Sequence, residues 1–426
     1  MKLNYLLRII ALASFALVLS SIDAVGQERA AVQIDSDFPG GNIIVDSVSP
    51  DGIVTLQPDL RDTEGDWFYT AFRVRNAQGQ KLTFQFTTAN KIGPRGPAVS
   101  SDAGATWRFL STTPDADSQR FEYAFAPEEN ETYFALCPLY TRANWLAFLE
   151  RFRNRPEFLP GVLCQARDGS DVDMLEITTK DGKTARFAVA MTARHHCCEA
   201  VASFVLEGVL EGVMADDQDG EWLRENCRFF IVPMVDEPGV EAGDQGKNRR
   251  PHDHNRDYAQ EIYPSVRALK AKIVVDFAET PLVFLDWHDP WIRGGEYNER
   301  IYAPASDDEN ATLALKEFSL ELEREQRGKT LPYEESYNLP FGVAWNTNSN
   351  YERPDGERPT LSSKYWAITL PNTILATTYE IPYANASDVE VTPEAAREFG
   401  RSAARALRRY LQKQDETNEN PSSPNN

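Results

Sequence analysis

Apolar residues follow two different rhythms along this chain. From residue 30 to about 138 they come in short alternating runs. Asn42–Val48 and Gly52–Leu56 are rich in β-branched residues and are split by the turn Ser49-Pro50-Asp51-Gly52. Trp67–Arg75 and Lys81–Thr88 alternate apolar and polar positions around Asn76-Ala77-Gln78-Gly79, which predicts a hairpin. Thr106–Leu110, Phe121–Phe125 and Tyr133–Cys137 predict further strands. Short strands in such succession predict an antiparallel β-sandwich of about 110 residues.

The rhythm changes near Thr141. Thr141–Arg153 reads as a helix capped by Thr141. Strands are predicted at Ala185–Thr192, Arg228–Val235, Leu282–Trp287 and Thr373–Ile381, with a helix from Glu199 to Met214 after the first. Thr392-Pro393-Glu394 opens a last helix running to Gln412. Its arginines, Arg401, Arg405, Arg408 and Arg409, lie toward the C-terminal end, where the helix dipole favours cations. This alternation over about 270 residues predicts an α/β domain. There is no internal repeat.

The ends differ from the body. Lys2 and Arg8 precede the apolar run Ile9–Leu19, and small residues lead to Ala24-Val25-Gly26. That is the layout of a secretory signal, too short to span a bilayer. No other segment is apolar enough for a membrane helix, so stable membrane insertion is not expected. Gln414–Asn426 is polar and rich in Asn, Pro and Ser, which predicts disorder. The expected layout is a signal peptide at 1–26, a β-sandwich at 27–140, an α/β domain at 141–413 and a disordered tail at 414–426. The expected location is outside the cytoplasm, periplasmic or extracellular.

Composition narrows the functional classes. Of 426 residues, 42% are hydrophobic and 26% charged, which excludes wholesale disorder. Acidic residues outnumber basic ones 65 to 44, a net charge of −21, so nucleic acid is not an expected partner. Five cysteines do not make a disulfide scaffold.

The chemistry is concentrated. All five histidines fall between His195 and His288. Arg194-His195-His196-Cys197-Cys198-Glu199 sits where a strand ends and a helix begins, a favoured place for sites in open α/β sheets. His196 and Glu199, spaced i,i+3, can share one face of a helical turn, and both residue types ligate zinc. Alone this pair is also an ordinary capped helix start. A second cluster, Gly246 to Tyr258, carries Asn255-Arg256, and a guanidinium is a natural carboxylate fork. Read alone it is also a polar, charge-balanced loop. His288 ends an apolar strand. Glu380 lies inside another, where a carboxylate needs a compensating partner.

Taken in order, these clusters resemble the zinc metallocarboxypeptidases, in the branch called cytosolic carboxypeptidases. That family's pattern is a strand-end His-Pro-Gly-Glu, then Asn-Pro-Asp-Gly-Val, an Arg, Asp-Leu-Asn-Arg, Asp-Leu-His and a final Glu. This chain has His196-Cys197-Cys198-Glu199, Asp236-Glu237-Pro238-Gly239-Val240, Gly246-Lys247-Asn248-Arg249, Asp253-His254-Asn255-Arg256, Asp286-Trp287-His288 and Tyr379-Glu380. Trp67-Phe68-Tyr69 and Tyr133–Cys137 resemble strands of the β-sandwich that precedes the catalytic domain in that branch. The departures are Cys197-Cys198 in place of Pro-Gly, a loop without Asn-Pro-Asp, His252 and His254 around Asp253, and a secretory signal.

The resemblance implies a mixed-sheet zinc carboxypeptidase domain behind the β-sandwich. It implies one zinc per chain, held by His196, Glu199 and His288, with an open water position. Zinc lowers the pKa of its water, and Glu380 would move the proton. Arg249 would stabilise the oxyanion, Asn255 and Arg256 would hold a terminal carboxylate, and Asp253 would accept from the free N–H of His196. Arg250 could exchange roles with Arg249. His195 reads as structural, His252 and His254 as loop residues, and Cys197 and Cys198 as packing residues. Tyr351 and Tyr365 are both candidates for a substrate contact. The implied partners are peptide or protein C-termini. A zinc-dependent amidase or deacylase on a small or cell-wall-derived substrate, and a non-catalytic binding protein, are the other classes weighed.

Overall fold

The nine short strands of the N-terminal region are β1 (Gln33–Asp35), β2 (Ile44–Val48), β3 (Ile53–Gln57), β4 (Ala71–Arg75), β5 (Lys81–Phe86), β6 (Ala98–Ser100), β7 (Arg108–Phe109), β8 (Arg120–Ala124) and β9 (Glu131–Ala135). They form two sheets, ordered β1-β4-β9-β6-β7 and β2-β3-β5-β8. The protein is described by a computed structural model that covers residues 30–111, 117–179, 182–351 and 361–419. The expected secretory signal at 1–26 therefore lies outside the described residues.

The sandwich is as expected, but one connection is not. β4 and β5 do not pair as a hairpin. β4 pairs with β1 and β9, whereas β5 pairs with β3 and β8. Their alternating apolar residues face each other across the sandwich: Phe72 and Val74 pack with Leu82, Phe84 and Phe86 in one core. The turn at Asn76–Gly79 thus carries the chain between sheets. Pairing is antiparallel except for β3 with β5.

Beyond α1 (Arg142–Glu150), capped by Thr141 as expected, a six-stranded sheet follows. Its strands are β10 (Phe158–Gln165), β11 (Asp171–Ile177), β12 (Phe187–Ala193), β13 (Cys227–Val232), β14 (Leu282–His288) and β15 (Thr373–Glu380), in the order β10-β11-β13-β12-β14-β15. The last four in that order are parallel, and β11 pairs antiparallel with both of its neighbours, β10 and β13. β12 and β14 are buried at every position, which is why they read as unbroken apolar runs. β10 escapes sequence detection because Pro160 and Gly161 interrupt it, and Pro is tolerated only at a sheet edge such as this one.

The helices are α2 (Ala200–Met214), α3 (Gln218–Asn226), α4 (Glu237–Ala242), α5 (Pro264–Asp276), α6 (Glu309–Gln326), α7 (Asn348–Tyr351), α8 (Ser363–Ile368) and α9 (Pro393–Glu419). α2 is almost wholly buried and lies against α9. Their backbones come close because Gly208 has no side chain: a Cβ there would lie 2.1 Å from the Arg397 carbonyl oxygen. The tail expected to be disordered from Gln414 instead continues α9 to Glu419, and 420–426 lie outside the described residues.

From Val32 onward the chain forms one compact unit. The sandwich shares a core with the α/β sheet, with Phe68, Tyr69 and Cys137 packing among Cys197, Cys198 and Val240. Gln245 fastens the two regions, accepting from the Tyr69 amide at 2.8 Å and donating to its carbonyl at 2.9 Å. Among the described residues no helix is long and apolar enough to cross a membrane.

Candidate active site

The parallel strands deliver their C-terminal ends to one place, as open α/β sheets do. β12 ends at Ala193 and leads into His195-His196, β14 ends at His288, and β15 ends at Glu380. A cleft of about 1400 Å³ opens there. His196, Glu199, His288 and Glu380 line it, together with Asp253, Asn255 and Arg256.

The three expected ligands converge. His196, Glu199 and His288 each present a donor atom, and these atoms lie within 4.8 Å of one another. His196 Nδ1 is 2.8 Å from Glu199 Oε1, and His288 Nδ1 is 2.7 Å from Glu199 Oε2. The second contact is close, yet Oε2 takes part in no hydrogen bond of acceptable geometry. A buried carboxylate oxygen left without a bonded partner, with two imidazole nitrogens converging beside it, is what a cation site requires. The donor set, two imidazoles and a carboxylate, fits zinc.

His288 is held from behind: its Nε2 is 2.9 Å from Asp286 Oδ2, a partner that fixes the ring and leaves Nδ1 for a metal. The expected bond from His196 to Asp253 is not formed, since His196 Nε2 is 3.7 Å from Asp253 Oδ1, beyond hydrogen-bond distance. Burial opposes ionisation of Asp286, but His195 and His288 more than offset it and hold the carboxyl well below its ordinary range. His195 bridges Asp286 at 3.0 Å and the Tyr258 hydroxyl at 2.8 Å, so it is structural, as its sequence position predicts. A second group of potential ligands, His195, Asp286 and His288, shares these same atoms and forms the support behind the first.

Glu199 is the N-cap residue of α2, and that helix start is fixed by a residue the sequence did not single out. Asp289, next to His288, accepts from the amides of Val201 and Ala202, each at 2.9 Å. A strand end thus caps the helix that carries the opposite ligand.

Glu380 sits beside the ligands with its carboxyl raised above the ordinary Glu value. Burial is the largest cause; Glu199 adds to it and His288 opposes it. Arg256 lines the cleft, its Nη1 donating to the Asn255 carbonyl at 2.9 Å and its guanidinium 5.7 Å from the Tyr351 ring centre. Asn255 is buried and engaged by protein. Its Oδ1 accepts from the Ser363 amide at 2.9 Å and its Nδ2 lies 3.1 Å from His288 Nε2. Tyr351, not Tyr365, lines the cleft.

Arg249 is a correction. It borders the cleft, but its guanidinium is turned onto three aspartates. Nε and Nη2 donate to Asp62 at 2.9 and 2.8 Å, Nη2 also to Asp244 at 2.9 Å, and Nη1 to Asp236. So engaged, it ties loops together and is not free to meet a developing charge. Lys247 is inside the site instead, with Nζ 2.6 Å from Glu199 Oε1. Lys247 lies in the Gly246 to Tyr258 cluster, where no local signal gives it a role. Arg250 is 77% exposed and pairs with Glu64 at the rim.

The neighbours behave as packing or loop residues. His252 lines the cleft and contacts Asp257 at 2.8 Å, and His254 is buried against the Tyr263 ring at 3.7 Å. All five cysteines are free thiols. Cys197 donates to Asp236 at 2.9 Å and Cys198 lies 3.5 Å from the Tyr383 hydroxyl.

Comparison with known proteins agrees with this geometry. The family described as zinc carboxypeptidase matches residues 147–423, and the family described as cytosolic carboxypeptidase N-terminal domain matches 34–136. Cytosolic carboxypeptidase 3 of Mus musculus is 28% identical over 268 residues, covering 54% of this chain and 26% of the relative. Cytosolic carboxypeptidase 6 of Caenorhabditis elegans is 27% identical over 285 residues, covering 60% and 61%. The chain thus spans about a quarter of the mouse relative's length. A metallo-carboxypeptidase from Burkholderia cenocepacia has the same fold, with a TM-score of 0.72 at 18% identity over 90% of this chain and 100% of that one. The Pseudomonas aeruginosa metallo-carboxypeptidase solved with (2-guanidinoethylmercapto)succinic acid gives 0.69 at 20% identity over 89% and 99%. The family match runs through every strand that carries a ligand, and its accompanying domain precedes it in the right order, so the chain belongs to the zinc carboxypeptidase family.

Proposed function

We propose that the protein is a zinc-dependent carboxypeptidase that hydrolyses the last peptide bond of peptides or proteins with a free C-terminus. One observation carries this reading. The His196–Glu199–His288 set, Glu380 and Arg256 all face one open cleft. Zinc in such a site lowers the pKa of water and polarises a carbonyl.

The chain's own residues supply the rest. Glu380 takes a proton from the attacking water and passes it to the leaving amine nitrogen. Its raised pKa suits both transfers, because the carboxyl must hold a proton between them. Arg256 offers a planar fork to the substrate's α-carboxylate, and Asn255 stands beside it. Asp286 keeps the His288 imidazole in the tautomer that leaves Nδ1 open, and Asp253 stands 3.7 Å behind His196. A digest of mixed peptides with zinc-loaded protein, read by mass spectrometry, tests the reading. Ladders shortened only from the C-terminus support it, and internal cuts count against it.

We also propose that the protein is exported from the cytoplasm. Lys2, Arg8, the apolar run Ile9–Leu19 and Ala24-Val25-Gly26 support export. The mass of the protein recovered from its host, ending the signal at Gly26 or retaining it, decides this.

A further inference from the structure

Peptide hydrolysis through a tetrahedral intermediate places negative charge on the former carbonyl oxygen. A cation fixed near that oxygen in a water-poor site is among the largest catalytic terms. Arg249 cannot supply it while Asp62, Asp236 and Asp244 hold its guanidinium. Arg250 is exposed at the rim on Glu64. Lys364 donates to the Pro304 carbonyl at 3.0 Å, and Arg256 lies at the carboxylate end of the cleft.

We propose that the ammonium of Lys247 is the cation that stabilises the developing oxyanion, a catalytic role that rests on the carboxypeptidase reading. The Lys247 side chain is only 13% exposed, and its Nζ lies 2.6 Å from Glu199 Oε1 and 3.1 Å from the Asp289 carbonyl oxygen. It stands one hydrogen bond from the ligand set. Among the described residues Glu199 is its only ion-pair partner, so it is not locked in a cage as Arg249 is. The Trp67 ring, 5.9 Å from Nζ, covers it on one side.

The backbone explains how Lys247 reaches this place. Gly246 has φ of +78°, and a Cβ there would lie 2.3 Å from the Cys197 amide nitrogen. The chain therefore passes against the turn that bears His196, which only glycine permits, and the next side chain enters the site. An ammonium on a four-carbon stem is a mobile point charge, suited to following charge from a carbonyl to an oxyanion.

The test compares zinc-loaded wild type, Lys247→Met, Lys247→Arg and Arg249→Lys on a peptide with a free C-terminus. Metal content, Tm and affinities for two ligands are read beside turnover. One ligand is a phosphinic peptide whose tetrahedral oxyanion imitates the intermediate, and the other is the product peptide. Lys247→Met should lower kcat by about 10²–10³-fold with KM within about threefold. It should weaken the phosphinic peptide by the same factor, leave the product peptide nearly unchanged, and keep the metal and Tm. Lys247→Arg should recover part of kcat. Three results overturn the proposal: Lys247→Met with near wild-type kcat, Lys247→Met losing its metal, or equal weakening of both ligands. Loss of kcat in Arg249→Lys alone, at unchanged Tm, would return the role to Arg249. Absence of wild-type turnover would sink the carboxypeptidase reading and this role together, whereas wild-type turnover with an indifferent Lys247→Met sinks only this role.

Discussion

His288 and Glu380 are register partners on the last rung of the β14–β15 ladder. Backbone pairing therefore sets the distance between a ligand and the proposed base, and the Ile381 amide donating to the His288 carbonyl at 2.8 Å closes the rung. A position fixed by sheet hydrogen bonds needs little side-chain ordering before reaction.

Glu380→Gln keeps the shape of the side chain and removes its proton-accepting charge. Turnover should fall by at least about 10²–10⁴-fold, with metal content and Tm unchanged. Since burial raises the Glu380 carboxyl, the acid limb of kcat against pH should lie above the ordinary Glu range, with activity rising as the carboxyl ionises. Near wild-type kcat in the Gln variant would remove Glu380 as the base.

Metal binding should follow the three convergent residues. Wild type should carry one zinc per chain, and His288→Ala should lose most of it under the same dialysis, while His195→Ala should keep more than His288→Ala because His195 faces Asp286. Elemental analysis reads both. Equal zinc in wild type and His288→Ala would remove His288 from the site.

The candidate ligands and the proposed base were legible in the sequence as a converging group because their signals are local: an i,i+3 pair after a strand, a His ending an apolar strand, a Glu inside another. The parallel strands were legible because both faces are buried. The signals that failed were non-local. Nothing near Arg249 announces Asp62, 187 residues away in sequence, and the β4–β5 turn looks like a hairpin whether or not its strands share a sheet. Only the packing of Phe72 against Phe84 across two sheets decides the latter.

Arg249→Met tests the cage. Asp62 is partly exposed and can be solvated, and Asp244 keeps Arg61, but Asp236 is largely buried and would lose its guanidinium partner. Stability should fall by about 3 kcal/mol, as when one partner of a buried ion pair is removed. Chemical denaturation measures this, and an unchanged midpoint would show that the cage is not structural.

Lys364 gives a pH signature. Burial, the largest cause, pushes its ammonium down from 10.5 to about 7. Between those values the unfolded chain binds more protons than the folded one, so this group adds stability as pH rises and adds none below about 7. The slope inside the interval is about 1.4 kcal/mol per pH unit. Lys364→Met should lose this slope, although its absolute stability also reflects the lost hydrogen bond to Pro304. Denaturation midpoints of both proteins from pH 6 to 10 test it, and parallel curves would contradict it.

The carboxypeptidase reading turns on whether a free α-carboxylate is required. Two peptides of one sequence, one with a free C-terminus and one amidated, are offered to the zinc-loaded protein. The account predicts that only the free form is shortened, one residue at a time. It predicts that Arg256→Ala narrows the difference by slowing the free form without loss of zinc, and that Arg256→Lys restores only part, since an ammonium lacks the fork. Comparable cleavage of both peptides, or internal cuts in either, would contradict it.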